Sequence, residues 1–196
     1  MKWFNIICIV FCFSVIIILL SQPIPDTISN DNDIVREYDA AVQVFNFNTE
    51  INFYSEEELL YTIKGDDFAI VEDPLRMYNP YGELIGTAGD DYHFIAQDTH
   101  LISYDDDEII MEGKAILFGE EYDIILDDKI VATATFNYSN TKGEITDLSG
   151  NIIAEYTSQI MSEDFVVSVT SNNTLSDEVI LLIFSSYYSD HRADSR

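Results

Sequence analysis

Short segments of the chain alternate apolar and polar residues with a period of two. "EYDIIL" places Tyr122, Ile124 and Leu126 on one face, and "KIVATATF" alternates in the same way. Successive side chains of a β-strand point to opposite faces, so this pattern predicts strands with one buried face. Only Asp127 and Asp128 separate the two segments. The spacing predicts a hairpin with a two-residue loop.

Similar runs recur along the chain with turn residues between them. They are AVQVFNF, LLYTIKG, DFAIV, LRMY, ELIGTA, YHFIA, THLISY, EIIME, KAILF, GEITDL, NIIAEY and DFVVSV. Closely spaced strands of this kind favour antiparallel neighbours. The sequence therefore predicts an all-β domain.

Two of these segments resemble each other. "MYNPYGELIGTA" and "ITDLSGNIIAEY" both carry a turn with a glycine, Gly82 or Gly150, followed by a pair of aliphatic residues. Two related halves of the sheet would explain this likeness. Separate β-turns that each use glycine would explain it equally well.

The end of the chain follows another pattern. A helix is predicted over residues 176–189, with Thr174 or Ser176 as its N-cap and acidic residues in its first turn. It is apolar on all sides, which requires burial on all sides. Its predicted core residues are Val179, Leu182, Ile183 and Phe184. We expect this helix on the axis of a closed barrel of about twelve strands, since closure covers every side of it. A strand "EVILLIF" in a β-sandwich is the alternative.

The first residues are predicted to direct export. Residues 1–21 carry Lys2 and then an apolar run from Trp3 to Leu20, so they form either a signal peptide or a membrane anchor. That run spans roughly 27 Å as a helix, close to the roughly 30 Å hydrocarbon core of a bilayer. With Lys2 as the one positive flank, the remainder is expected outside the cytoplasm, either secreted or in the lumen.

The rest of the chain divides into three parts. Residues 22–39 are polar and are expected to form an acidic linker. Residues 40–190 are expected to form the globular domain, and residues 191–196 a polar tail. Both cysteines, Cys8 and Cys12, lie in the first segment. Glycosylation sequons at Asn137 and Asn172 fit export.

Charge excludes some classes of partner. The chain has 9 Lys and Arg against 36 Asp and Glu, a net charge of −27. Nucleic acids and anionic lipid headgroups both need a basic surface. We therefore expect neither as a partner.

The order of segments resembles a known family. "YTIKGDDFAI", "MYNPYGELIGTA", "EGKAILFGEEYDIILDDKIVATAT", "EDFVVSV" and the apolar terminal helix are similar to the LURP-one-related family of tubby-like proteins. That resemblance implies a twelve-stranded barrel around a buried C-terminal helix. Tubby proteins and phospholipid scramblases act at membranes, so a lipid headgroup pocket would require clustered cations. Lys64, Arg76 and Lys114 are the cations that folding could bring together.

The sequence contains no recognisable catalytic, cofactor-binding or metal-binding motif. His93 and His100 have no partner at ligand spacing, which favours structural roles. The acidic run from Asp105 to Glu108 invites a calcium hypothesis, but it lacks the glycine turn and alternating oxygens of a calcium loop. A solvated turn is the favoured interpretation.

The sequence thus predicts a monomeric, non-enzymatic barrel, secreted or membrane-anchored, that binds an unknown protein, glycan or lipid ligand. The alternatives are a carboxylate-based hydrolase, whose acid pair cannot be chosen among so many carboxylates, and a scramblase-like protein that interacts with lipid.

Overall fold

A computed structural model describes the domain that follows residue 32. The described residues are 34–45, 48–66, 74–90, 99–114, 119–137, 139–159, 163–170 and 174–194. The predicted signal or anchor segment, Asn172, His93 and the segments DFAIV and YHFIA lie outside them.

Twelve strands and one helix make up the described part of the domain. The strands are β1 (Ile34–Phe45), β2 (Asn48–Ser55), β3 (Glu58–Asp66), β4 (Leu75–Tyr78), β5 (Leu84–Asp90), β6 (Thr99–Tyr104), β7 (Asp107–Lys114), β8 (Glu120–Leu126), β9 (Lys129–Phe136), β10 (Lys142–Asp147), β11 (Ile152–Ser158) and β12 (Phe165–Thr170). The helix, α1, is Asp177–Asp194.

The strands form one closed antiparallel barrel in chain order. β1 pairs with both β2 and β12, and this last pairing closes the sheet. Within the described residues, closure gives every strand a hydrogen-bonded neighbour on each side. The prediction of a closed barrel of about twelve strands with one C-terminal helix is confirmed, and the sandwich alternative is wrong.

α1 fills the interior of the barrel. The predicted core residues Val179, Leu182, Ile183 and Phe184 are all at most 3% exposed. Gly86 on β5 permits the close approach of the helix, because a Cβ there would lie 2.9 Å from Cδ1 of Leu182. A helix that is buried on every side explains why its sequence shows no polar face.

The connections from even-numbered to odd-numbered strands lie at one end of the barrel, since consecutive strands run in opposite directions. We call this the entry end, because α1 follows β12 there and begins there. Three of the turns at this end are two-residue acidic loops: Glu56-Glu57, Asp105-Asp106 and Asp127-Asp128. Both residues of the last loop have positive φ, as a tight hairpin requires. The hairpin predicted there is confirmed.

The two similar segments form the same turn. Asn79 Oδ1 accepts hydrogen bonds from the backbone N–H groups of Tyr81 and Glu83. Asp147 Oδ1 accepts the equivalent bonds from Ser149 and Asn151. One turn joins β4 to β5 and the other joins β10 to β11, so they lie on opposite sides of the barrel.

A second pair of hairpins repeats in the same way. The β2–β3 and β8–β9 hairpins each have a register shift before a two-residue turn. The β2–β3 hairpin is followed by the β4–β5 turn that contains Gly82, and the β8–β9 hairpin is followed by the β10–β11 turn that contains Gly150. These correspondences support the interpretation of two related halves, β1–β6 and β7–β12.

Several predicted boundaries differ from the structure. β1 begins at Ile34, inside the segment predicted as a linker. Within residues 36–39 of that segment only Tyr38 is buried, whereas the other three residues are charged and exposed, so the segment has the composition of a linker. α1 continues to Asp194, into the predicted polar tail. β2 was not predicted, since Asn48, Glu50 and Asn52 make its sequence polar.

Candidate functional site

The axis of the barrel is occupied by the protein's own aromatic side chains. Tyr187 on α1 stacks on Phe136 of β9, with an interplanar angle of 6°. Phe184 packs against Tyr156 of β11 at a centroid distance of 5.7 Å. Among the described residues, the polar side chains that could bind a ligand therefore lie mainly at the two ends of the barrel and on its outer face.

At the entry end, two carboxylates in the first turn of α1 bind strand residues. Oδ2 of Asp177 accepts a hydrogen bond from the Tyr38 hydroxyl. Its Oδ1 forms an ion pair with Nη2 of Arg36 at a distance of 2.8 Å. Glu178 accepts a 2.7 Å hydrogen bond from the Tyr61 hydroxyl. Burial, and secondly these hydrogen bonds, raise the pKa of both tyrosines. Their hydroxyls therefore stay protonated and keep α1 joined to β1 and β3.

In the described part of the chain, two carboxyl groups have a shifted pKa, and neither fits a general acid. A hydrogen bond from Asn52 lowers the pKa of Glu50, and hydrogen bonds from Asn151 lower the pKa of Asp147. A general acid that works near neutral pH needs the opposite shift.

At the far end, a serine and a histidine meet inside the barrel. Ser186 Oγ lies 2.9 Å from Nδ1 of His100, a separation that also suits a nucleophile and its base. Both residues are at most 3% exposed, so a substrate could not reach Oγ without opening the barrel. The pair instead joins α1 to β6. Ser186 was not predicted as a site residue, because a serine on an apolar helix gives no sign of its partner.

The three candidate cations do not form one cluster. Lys64 and Arg76 are cross-strand neighbours on β3 and β4, but Lys114 lies on β7, beyond β5 and β6. Lys64 pairs with Glu50 at 3.1 Å, and Lys114 pairs with Glu121 and Asp123. These ammonium groups are neutralised by neighbouring carboxylates.

The acidic run forms a turn. Asp105 and Asp106 connect β6 to β7, while Asp107 and Glu108 begin β7, and all four are exposed. Within the described ranges, no group of three or more His, Cys, Asp or Glu is arranged to hold a metal ion.

The sequon at Asn137 lies in the turn between β9 and β10. Its Nδ2 donates to Thr141 Oγ1 at 3.1 Å, and its Oδ1 accepts from the Thr141 and Lys142 backbone N–H groups. Its glycosylation remains a prediction, as does that of Asn172.

A row of aliphatic side chains crosses the outer face of the barrel. Leu101 on β6 pairs with Ile110 on β7, which pairs with Ile125 on β8, which pairs with Ile130 on β9. Leu148 lies in the turn directly after β10, whose last residue, Asp147, pairs with Ala132, two residues from Ile130 on β9. We call these five residues the aliphatic stripe.

The aliphatic stripe is open to solvent at one end. Ile130 is 44% exposed and Leu148 is 72% exposed, whereas the other three members are half-buried. The adjacent residues Ile102, Ile109 and Ile124 point inward and are buried. An apolar surface of this kind suits contact with another molecule.

No family model, curated protein or solved structure matches this chain. The one helix in the described part of the chain, α1, does not meet the length and apolarity needed to cross a membrane.

Proposed function

We propose that this protein is a non-enzymatic binding module of the LURP-one-related, tubby-like type, exported from the cytoplasm and secreted or anchored by residues 1–21. The observation that carries the proposal is the aliphatic stripe on the outside of a barrel whose axis α1 occupies. A partner that binds the outer surface would contact these side chains without disturbing the packing of α1 inside the barrel.

Charge supports a protein partner over a lipid one. Lys64, Lys114 and Lys142 each pair with carboxylates on the outer face. An anionic headgroup would have to displace those carboxylates. The hydrolase alternative rests on abundant acids, and the pKa shifts of the described residues Glu50 and Asp147 are downward, opposite to the shift that a proton donor needs.

Cross-linking in cells tests the binding role. The full chain, expressed in eukaryotic cells, should form a cross-linked adduct with a partner on the outside of the barrel. A Leu148→Asp variant should lose the adduct while its melting temperature stays the same. Tyr81→Asp is the matched control, because Tyr81 is 88% exposed in the equivalent turn on the opposite side. Equal adducts from all three proteins would contradict the proposal.

A microsome assay tests the location separately. Translated with microsomes, the full chain should gain glycans at Asn137 or Asn172, and its domain should resist added protease. Digestion of the domain by protease outside the vesicles would overturn the export of the domain.

A further inference from the structure

The aliphatic stripe is not required by the barrel itself. Opposite residues on paired strands lie about 5 Å apart, so the four strand members form a row roughly 14 Å long. The outward positions of neighbouring β10 and β11 are mostly polar, with Glu144, Thr146, Glu155 and Thr157 among them, although Ile152, which pairs with Thr146, is aliphatic. Four consecutive strands with aliphatic residues in register therefore form a continuous apolar surface that β10 and β11 do not continue.

Carboxylates border the aliphatic stripe on both sides. On β7, Glu108 and Glu112 lie two residues before and after Ile110, and so point to the same outer face. On β8, Asp123 lies two residues before Ile125. Lys114 pairs with Asp123, but Glu108 is exposed on the side nearer the entry end. The border of the aliphatic stripe is thus predominantly negative.

Resting on the proposed binding role, we infer that the aliphatic stripe docks a cationic amphipathic polypeptide segment of a partner protein. Its apolar side chains lie along Leu101, Ile110, Ile125, Ile130 and Leu148, and its Lys or Arg side chains meet the bordering carboxylates. The chain's net charge of −27 attracts such a segment over long range. A second copy of this chain would place like charges against each other, which disfavours self-association.

A peptide of alternating leucine and lysine is the probe. Binding to the purified, naturally processed protein is measured by fluorescence anisotropy at low and at physiological salt, and a photoreactive leucine maps the contact. Two further peptides separate the apolar contribution from the charge contribution. A peptide of alternating serine and lysine keeps the positive charge without the apolar side chains, and a peptide of alternating leucine and glutamate keeps the apolar side chains with negative charge. We expect the leucine–lysine peptide to bind roughly tenfold or more tightly than either.

Matched variants locate the site. Ile130→Ser with Leu148→Ser should weaken binding of the leucine–lysine peptide roughly tenfold. Glu108→Gln with Glu112→Gln should weaken it and reduce its salt dependence. Tyr81→Ser should change neither, since its turn lies on the other side of the barrel. Cross-links away from the aliphatic stripe, or equal loss of binding in Tyr81→Ser, would overturn the inference.

Three other outcomes would lead to a different conclusion about the aliphatic stripe. A concentration-dependent dimer that Leu148→Ser abolishes would show that a second copy occupies the aliphatic stripe, and would overturn the inference. If the peptides fail to bind but the cellular adduct still depends on Leu148, the cationic partner is wrong and the binding module stands. If the cellular adduct is also independent of Leu148, the proposed function fails.

Discussion

Nη2 of Arg36 lies 2.8 Å from Oδ1 of Asp177, so the first strand of the barrel binds the first turn of its last element. The hydroxyl of Tyr38 donates to the other carboxylate oxygen. Asp177 is 5% exposed, so water cannot readily replace these partners. The contact fixes where α1 enters the barrel and helps to hold the closing strand β1 in place.

Replacing Asp177 with alanine should destabilise the domain by about 2 kcal/mol, because the buried Tyr38 hydroxyl loses its acceptor. Denaturant unfolding followed by circular dichroism measures the loss. Asp106→Ala removes an exposed carboxylate from a turn and should change the free energy of unfolding by less than about 0.5 kcal/mol. Equal effects of the two substitutions would show that the Asp177 contact does not stabilise the fold.

Phe184→Ala should cost about 3–5 kcal/mol, because it leaves a cavity inside the barrel. Phe184 packs between Tyr156 and Phe136, at centroid distances of 5.7 Å and 6.0 Å. Leu182→Asp should unfold the domain, because it buries an unpaired charge. Thermal melts compare both with Leu148→Ala, which removes an exposed aliphatic side chain and should melt like the wild type. A wild-type melt for Leu182→Asp would mean that α1 is not inside the barrel.

The two equivalent turns should be interchangeable. Replacing Asn79–Glu83 (NPYGE) by the sequence of Asp147–Asn151 (DLSGN) keeps the side-chain acceptor and the glycine. Gly82 and Gly150 have φ of 80° and 84°, so each turn needs a residue free to adopt the left-handed region. The exchange should shift the free energy of unfolding by less than about 1 kcal/mol, whereas Gly82→Val should cost about 1–2 kcal/mol. A chimera less stable than Gly82→Val would refute the equivalence.

Stability should fall steeply in alkali. Burial raises the pKa of Tyr38, Tyr61 and Tyr187 above the ordinary tyrosine value of about 10. Above that pH the unfolded chain releases protons that the folded domain retains, so unfolding becomes more favourable as pH rises. The stabilisation from these three protonated hydroxyls is fully present below about pH 10 and is lost as the pH rises further.

Tyrosinate absorbance and far-ultraviolet circular dichroism, recorded together, test this dependence. These hydroxyls should ionise together with the loss of β-structure. Tyr187→Phe keeps the ring against Phe136 and removes one such hydroxyl, so it should lessen the decline in alkali. Complete titration of the tyrosines near pH 10 with unchanged circular dichroism would contradict the prediction.

Local patterns made much of the fold predictable. The alternation in "EYDIIL" and "KIVATATF" defined β8 and β9, and the two aspartates between them defined their turn. The stretch from Val179 to Phe184, apolar on every side, implied burial on every side and hence a closed barrel around it. β2 escaped prediction because Asn52 is buried through hydrogen bonds with Glu50 and Thr62 that its own sequence does not reveal.

The site was less predictable, although the sequence holds a trace of it. Leu101-Ile102, Ile109-Ile110 and Ile124-Ile125 are adjacent aliphatic pairs, and two neighbouring residues of a strand cannot both face the core. One member of each pair therefore had to point outward. The sequence did not show that the outward members share one row.

By itself, then, the sequence determined which faces are apolar, where tight turns occur, that the last helix must be enclosed, and that the surface is acidic. Only the tertiary structure decided which residues meet. The periodicity of a strand specifies its faces but not its register, which depends on turns, bulges and pairing with distant strands. That register aligns Leu101, Ile110, Ile125 and Ile130, and the closure of the barrel brings Arg36 to Asp177. Such contacts form between residues far apart in the chain, so no local pattern could encode them.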